Sequence, residues 1–160
     1  LEAAKKTKAE VGLFSDAGVP CVADPGSQVV AFAHELGMVV KPHVGPSSIL
    51  LALMASGFNG QQFAFHGYLP IQEAELKNFL QQLELESARK NQTQIFIETP
   101  YRNNKLLENL IKYLKPSTSV CIAADLQSEK EEIRRLTLAE WNKTKLDFHK
   151  RPAVFLLMAR

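Results

Sequence analysis

Short apolar runs alternate with stretches of helical period along most of this chain, and loops rich in Gly, Pro, Asp and Ser close the runs. The first half reads as strand Val11–Phe14, helix Ser27–Leu36, strand Met38–Lys41, helix Ser48–Ser56 and strand Gln62–Tyr68. In the first of these helices Val29, Val30, Phe32, Ala33 and Leu36 recur at helical spacing, and Gly37 is a natural stop. Strand–helix–strand alternation predicts a parallel sheet joined by right-handed crossovers.

After Pro70 the texture changes. Glu73–Lys90 is a long charged helix with Leu76, Phe79, Leu80 and Leu83 on one face. Strand Ile95–Glu98, helix Asn103–Leu114 and strand Val120–Ala124 follow. Then come a short strand Glu132–Leu136, a helical turn Leu138–Trp141 and a continuous apolar strand Ala153–Met158, expected to be central. The short return over residues 125–137 suits antiparallel neighbours, so this half predicts a mixed sheet. The expected architecture is two α/β domains: residues 1–68 with a partial parallel sheet and residues 69–160 with a mixed sheet.

Composition narrows the class of protein. At 160 residues, 46% hydrophobic and 22% charged, the chain has ordinary globular composition. No apolar run approaches membrane-spanning length, and no membrane partner is expected. Cys21 and Cys121 stand far apart without a metal-ligand spacing, which predicts a reducing, cytoplasmic setting and no metal. The net charge is +2, with the excess of cations in residues 69–160. That permits an anionic partner. The segment Leu1–Ala9 reads as the later turns of a helix, without a capping residue or signal peptide. The chain is therefore expected to be a portion of something longer.

Two loops carry the functional signal. Ser15-Asp16-Ala17-Gly18 follows the first strand, and Gly45-Pro46-Ser47-Ser48 opens a helix whose free amides favour a negative group. In open α/β sheets such loops, at the carboxyl ends of strands, are where small ligands bind. Asp24-Pro25-Gly26-Ser27 reads more simply as a turn and helix cap. Neither a Walker A loop nor a GxGxxG fingerprint occurs, which disfavours the usual nucleotide folds.

Taken together, the segments SDAGVPCVADPG (15–26), VGPSS (44–48), ASGF (55–58), FAFHGYLP (63–70) and FIETPYR (96–102) resemble, in order and spacing, the tetrapyrrole-methylase-like superfamily. These are S-adenosylmethionine-dependent methyltransferases, and the chain is most similar to their bacterial small-subunit ribosomal RNA (cytidine-2′-O)-methyltransferase branch. The resemblance implies a cofactor cleft between two domains. Ser15, Asp16 and Ala17 would lie at the methionine and ribose side, Gly45, Pro46 and Ser47 beneath the cofactor, and Gly67, Tyr68 and Leu69 at its adenine side. Glu98 and Arg102 match an E-x-P-x-R segment facing the substrate. Glu98 is the candidate general base for a ribose 2′-hydroxyl, Arg102 and His66 the candidate substrate residues, and a strand-to-helix salt bridge the plain alternative for Glu98 and Arg102.

Two departures stand out. The family's first strand, its glycine-bearing loop and the helices after it have no counterpart here. Ala124-Asp125-Leu126-Gln127-Ser128 stands where the branch carries Arg-Glu-Leu-Thr-Lys, losing two cations suited to phosphate. The expected function is ribose 2′-O-methylation of ribosomal RNA by a homodimer. A small tetrapyrrole-like or protein substrate, and a non-catalytic cofactor-binding or oligomerising fragment, remain alternatives. Lys143, Lys145, His149, Lys150 and Arg151 form a basic cluster that reads as solvated surface, because Asp147 interrupts it and no aromatic set accompanies it.

Overall fold

The computed structural model describes residues 1–145 and 147–160. The contact pattern divides it into two compact units, Leu1–Ser47 and Ser48–Arg160. The division falls before the Tyr68/Leu69 boundary expected from sequence.

In the first unit, α1 (Glu2–Thr7) is shorter than the expected Leu1–Ala9, ending where Lys8 takes a left-handed conformation at φ 54°. Helix α2 (Ser27–Glu35) ends just before Gly37, whose φ of 65° continues the turn. The strands expected at Val11–Phe14 and Met38–Lys41 are not formed, and that correction has a simple cause. An apolar run becomes a strand only when a neighbour completes its hydrogen-bond ladder. Among the described residues neither run has a ladder partner; Phe14 is 89% exposed and Val39 83%.

The second unit is a three-layer α/β structure around one five-stranded sheet. Its elements are α3 (Ser48–Ser56), β1 (Phe63–Tyr68), α4 (Glu73–Lys90), β2 (Thr93–Ile97), a 3₁₀ turn at Pro100–Arg102, α5 (Asn103–Tyr113), β3 (Ser119–Ala124), β4 (Glu132–Thr137), α6 (Leu138–Trp141) and β5 (Ala153–Met158). The strand order is β1-β2-β5-β3-β4. Only β1 and β2 are parallel, connected through α4; β2–β5, β5–β3 and β3–β4 are antiparallel. The mixed sheet and the central last strand match the sequence expectation; β1, expected in a parallel sheet of residues 1–68, instead forms an edge strand of this mixed sheet by pairing with β2.

Side chains of the three inner strands alternate between two covered faces, which explains the apolar runs of β3 and β5. Phe96, Val120, Ile122, Phe155 and Leu157 pack toward α4, α5 and α6, with Leu80, Leu110, Trp141 and Phe148. Ile95, Cys121, Ala123, Val154 and Leu156 pack on the other face against Ile49, Ala52 and Leu53 of α3. A sheet covered on both faces favours apolar residues at successive positions, not at alternate ones, and the buried polar residues of β2, Thr93 and Gln94, are hydrogen-bonded. Burial pushes the Cys121 thiol up to about 11, so it acts as a small packing group.

Candidate functional site

Within Leu1–Ser47 the two glycine-bearing loops lie against each other. Ser15 Oγ donates to Ala17 O at 2.9 Å and accepts from Ala17 N at 3.3 Å, closing a small turn on its own backbone. Gly18 follows at φ 79°, and a Cβ there would stand 3.7 Å from Pro46 O. A Cβ on Gly45 would come within 2.8 Å of Val19 Cγ1, closer than real side chains approach. The close approach of the loops therefore depends on glycine at position 45. Asp16, Ala17, Gly45 and Pro46 are exposed, while Ser15 and Ser47 are half-buried. Small side chains leave the backbone accessible, and Asp16 presents a carboxylate beside it.

The rest of the first loop is tightly turned. Cys21 and Ala23 both take positive φ, and Cys21 N donates to Pro25 O at 3.4 Å. Gly26 caps α2, and a Cβ there would sit 2.9 Å from Leu13 Cδ2. Residues 24–27 do what their sequence suggests, turning the chain into a helix.

In Ser48–Arg160 the candidate residues lie on two neighbouring strands. The β1–β2 pairing shifts register between Phe65 and Tyr68, a bulge formed where Gly67 adopts φ 64°. The bulge ends β1 with Tyr68 exposed and Leu69 buried in the core. His66 lies before it, with Nε2 2.7 Å from Gln94 Oε1 and its ring edge-on to Phe79 at 5.7 Å. That pairing ties the imidazole into the seam of β1, β2 and α4.

Glu98 and Arg102 meet where β2 runs into the 3₁₀ turn. Glu98 Oε1 accepts from Thr99 N and from Arg102 Nη2, each at 2.6 Å. The Glu98 side chain is 7% exposed and the Arg102 side chain 35%. The ion pair anticipated as the plain alternative is therefore present. It leaves one group unmatched: Arg102 Nε is buried and has no hydrogen-bond partner. A buried N–H without an acceptor is costly.

The segment that departs from the family pattern is tied into an ion-pair network. Asp125 accepts from Arg151 Nε at 2.6 Å, and Arg151 also binds Glu132 Oε2 at 2.7 Å and Lys130 O at 3.0 Å. These partners hold Arg151 in its charged form, with its proton affinity raised. Arg151, counted by sequence among a surface basic cluster, is thus a structural cation. Sequence reading missed this network because its members are separated by up to 26 residues. Among the described residues no group of three His, Cys, Asp or Glu is arranged to hold a metal, and no helix is long and apolar enough to cross a membrane.

Comparison with known proteins agrees on the family. A profile of the Tetrapyrrole (Corrin/Porphyrin) Methylases matches residues 1–142. Proteins named Ribosomal RNA small subunit methyltransferase I are similar to the chain. The Vibrio cholerae protein is 35% identical over 130 residues, covering 81% of this chain and 44% of its own length. The Mesorhizobium japonicum protein is 38% identical over 128 residues, 80% of this chain and 42% of its own. The chain thus spans less than half the length of these relatives. Among solved structures, a conserved hypothetical protein from Aeropyrum pernix K1 aligns with a TM-score of 0.59 at 19% identity, over 90% of this chain and 56% of that one. The methyltransferase CobJ aligns at 0.52 and 16%, over 83% and 56%. At such identities these two speak for the fold alone.

Proposed function

The chain belongs to the tetrapyrrole (corrin/porphyrin) methylase family, and from that premise we propose that it serves an S-adenosylmethionine-dependent methyltransferase acting on a ribose 2′-hydroxyl of ribosomal RNA. The observation that carries the proposal is the paired-loop surface of Ser15–Gly18 and Gly45–Ser47, whose approach depends on a missing Cβ at position 45. Its accessible amides and the Asp16 carboxylate suit a ligand that carries an ammonium, a carboxylate and a ribose diol. In this reading Ser15, Asp16 and Ala17 contact the methionine and ribose portions, and Gly45, Pro46 and Ser47 shape the loop that supports them. Gly67, Tyr68 and Leu69 are proposed for the adenine. The substrate class rests on the names of the relatives at about 35% identity.

S-adenosylmethionine supplies a methyl group already activated on a sulfonium, so positioning of donor and acceptor does much of the work. The residues of this chain have the remaining task of taking the proton from the acceptor hydroxyl. Glu98 is the proposed base, at the end of β2, with Arg102 holding Oε1 and fixing the carboxylate plane. Arg102 is also the proposed phosphate contact, through the part of its side chain that stays exposed. His66 is proposed as a minor substrate residue.

A second reading, methylation of a small tetrapyrrole-like molecule, is favoured by the loss of two cations at residues 124–128, where Asp125 is committed to Arg151. One experiment tests both. The protein is titrated calorimetrically with S-adenosylmethionine, and methyl incorporation is then measured into small ribosomal subunits, free tetrapyrroles and bulk protein. The proposal expects saturable binding, weakened by Asp16→Ala, and incorporation into the ribosomal subunit alone. Absence of cofactor binding overturns the methyltransferase reading, and incorporation into tetrapyrroles transfers it to the second.

A further inference from the structure

We propose that Tyr101, His149 and Lys150 form a platform on which a base of single-stranded RNA stacks, next to the Glu98–Arg102 pair; this deepens the RNA reading above and rests on it. Tyr101 sits in the 3₁₀ turn between Pro100 and Arg102 and is 68% exposed. Its ring meets the His149 imidazole at 5.8 Å and 76°, and Lys150 Nζ stands 5.8 Å from its centroid. The basic cluster, whose own segment offers no exposed Phe, Tyr or Trp, gains one from a segment some fifty residues earlier.

The arrangement is held from below. Lys150 N donates to Pro100 O at 2.9 Å, joining the two turns by their backbones, and Lys150 itself takes φ 61°. Asn103 Nδ2 donates to Phe148 O at 3.2 Å and to Arg151 O at 2.7 Å, and the Phe148 ring is fully buried. Asp147 is engaged by its neighbours: its Oδ1 accepts from Asn104 Nδ2 at 2.6 Å and from His149 N at 2.8 Å, while Glu98 is paired with Arg102. An exposed aromatic with flanking cations on an anchored turn is the combination that binds single strands, since bases stack on the ring and cations attract the backbone. The same turn carries Arg102, so a base held by Tyr101 would bring its own backbone to the proposed phosphate contact.

The test uses a short single-stranded RNA containing one 2-aminopurine, whose fluorescence is quenched when it stacks. Binding is measured for the wild type, Tyr101→Ala, Tyr101→Phe and Lys150→Ala. The platform predicts quenching by wild type and Tyr101→Phe with affinities within about twofold of each other, because the ring is what stacks. Tyr101→Ala should lose the quenching and bind roughly 5- to 150-fold more weakly, the equivalent of about 1–3 kcal/mol. Lys150→Ala should lower the slope of log affinity against log salt by about 0.7. If the wild type binds RNA while Tyr101→Ala binds equally well and still quenches, the platform is overturned and the RNA reading survives. If the wild type neither binds nor methylates RNA, the RNA reading falls and the platform with it.

Discussion

Replacing Glu98 by glutamine separates the chemical role of this residue from its structural one. The substitution keeps shape and one hydrogen-bonding oxygen but removes the charge. In the structure Oε1 accepts two bonds of 2.6 Å, from Thr99 N and Arg102 Nη2, in a side chain only 7% exposed. A hydrogen bond to a charged group contributes about 1.5–3 kcal/mol and a neutral one about 0.5–1.5 kcal/mol. The exchange therefore costs about 1 kcal/mol or somewhat more, held at the low end because the Arg102 side chain is 35% exposed and regains water. In a chain of this size the loss lowers Tm by roughly 2–4 °C. Loss of a general base lowers kcat by about 10²–10⁴-fold, equivalent to about 3–5.5 kcal/mol. The two effects differ enough to be read independently. Thermal unfolding followed by circular dichroism gives the first, and turnover with labelled S-adenosylmethionine, at normal cofactor affinity, gives the second. Undiminished turnover with a lowered Tm would refute the base assignment and leave Glu98 as the anchor of the 3₁₀ turn. An unchanged Tm would refute the hydrogen-bond argument itself.

Other expectations follow from particular contacts. Trp141→Phe removes the buried bond from the indole Nε1 to Val120 O at 3.0 Å and leaves a gap beside Phe148, so urea unfolding should show a loss of about 2–4 kcal/mol. Gly67→Ala meets no atom within 4 Å, so its cost is that of a left-handed φ alone, about 1–2 kcal/mol; a neutral result would mean that the bulge is not built as described. The Lys112 ammonium and the Tyr113 hydroxyl hold the Glu73 carboxyl at about 2, below its ordinary 4.5. A depressed acid stabilises the fold above its unfolded value, and the gain disappears as pH falls. The stability difference between wild type and Glu73→Gln should thus be constant above about pH 5 and shrink between 4.5 and 2. It should be small, since both partners are exposed. A carboxyl NMR titration with its midpoint near 4.5 would contradict the pairing.

Local features of the chain made much of this legible. The bounds of α4 follow from its amphipathic period, and its end at Asn91 from the left-handed conformation that this residue tolerates. A continuous apolar run marked β5 as the central strand. The Glu98–Arg102 contact was visible because four residues separate the partners, a distance that one turn closes. The paired loops were visible as motifs, but their approach through Gly45 and Val19 was not.

What sequence alone determined here is therefore short-ranged: element type, stops, turns and the apolar faces that must be covered. Tertiary structure decided the rest. It left Val11–Phe14 and Met38–Lys41 without ladder partners. It put β5 between β2 and β3, and it committed Arg151 to Asp125 and Glu132 rather than to the surface. It also carried Tyr101 to His149 and Lys150. Periodicity is written in the residues of one segment, whereas a ladder, an ion pair or a stacked ring needs a second segment, and which one arrives depends on how the whole chain closes.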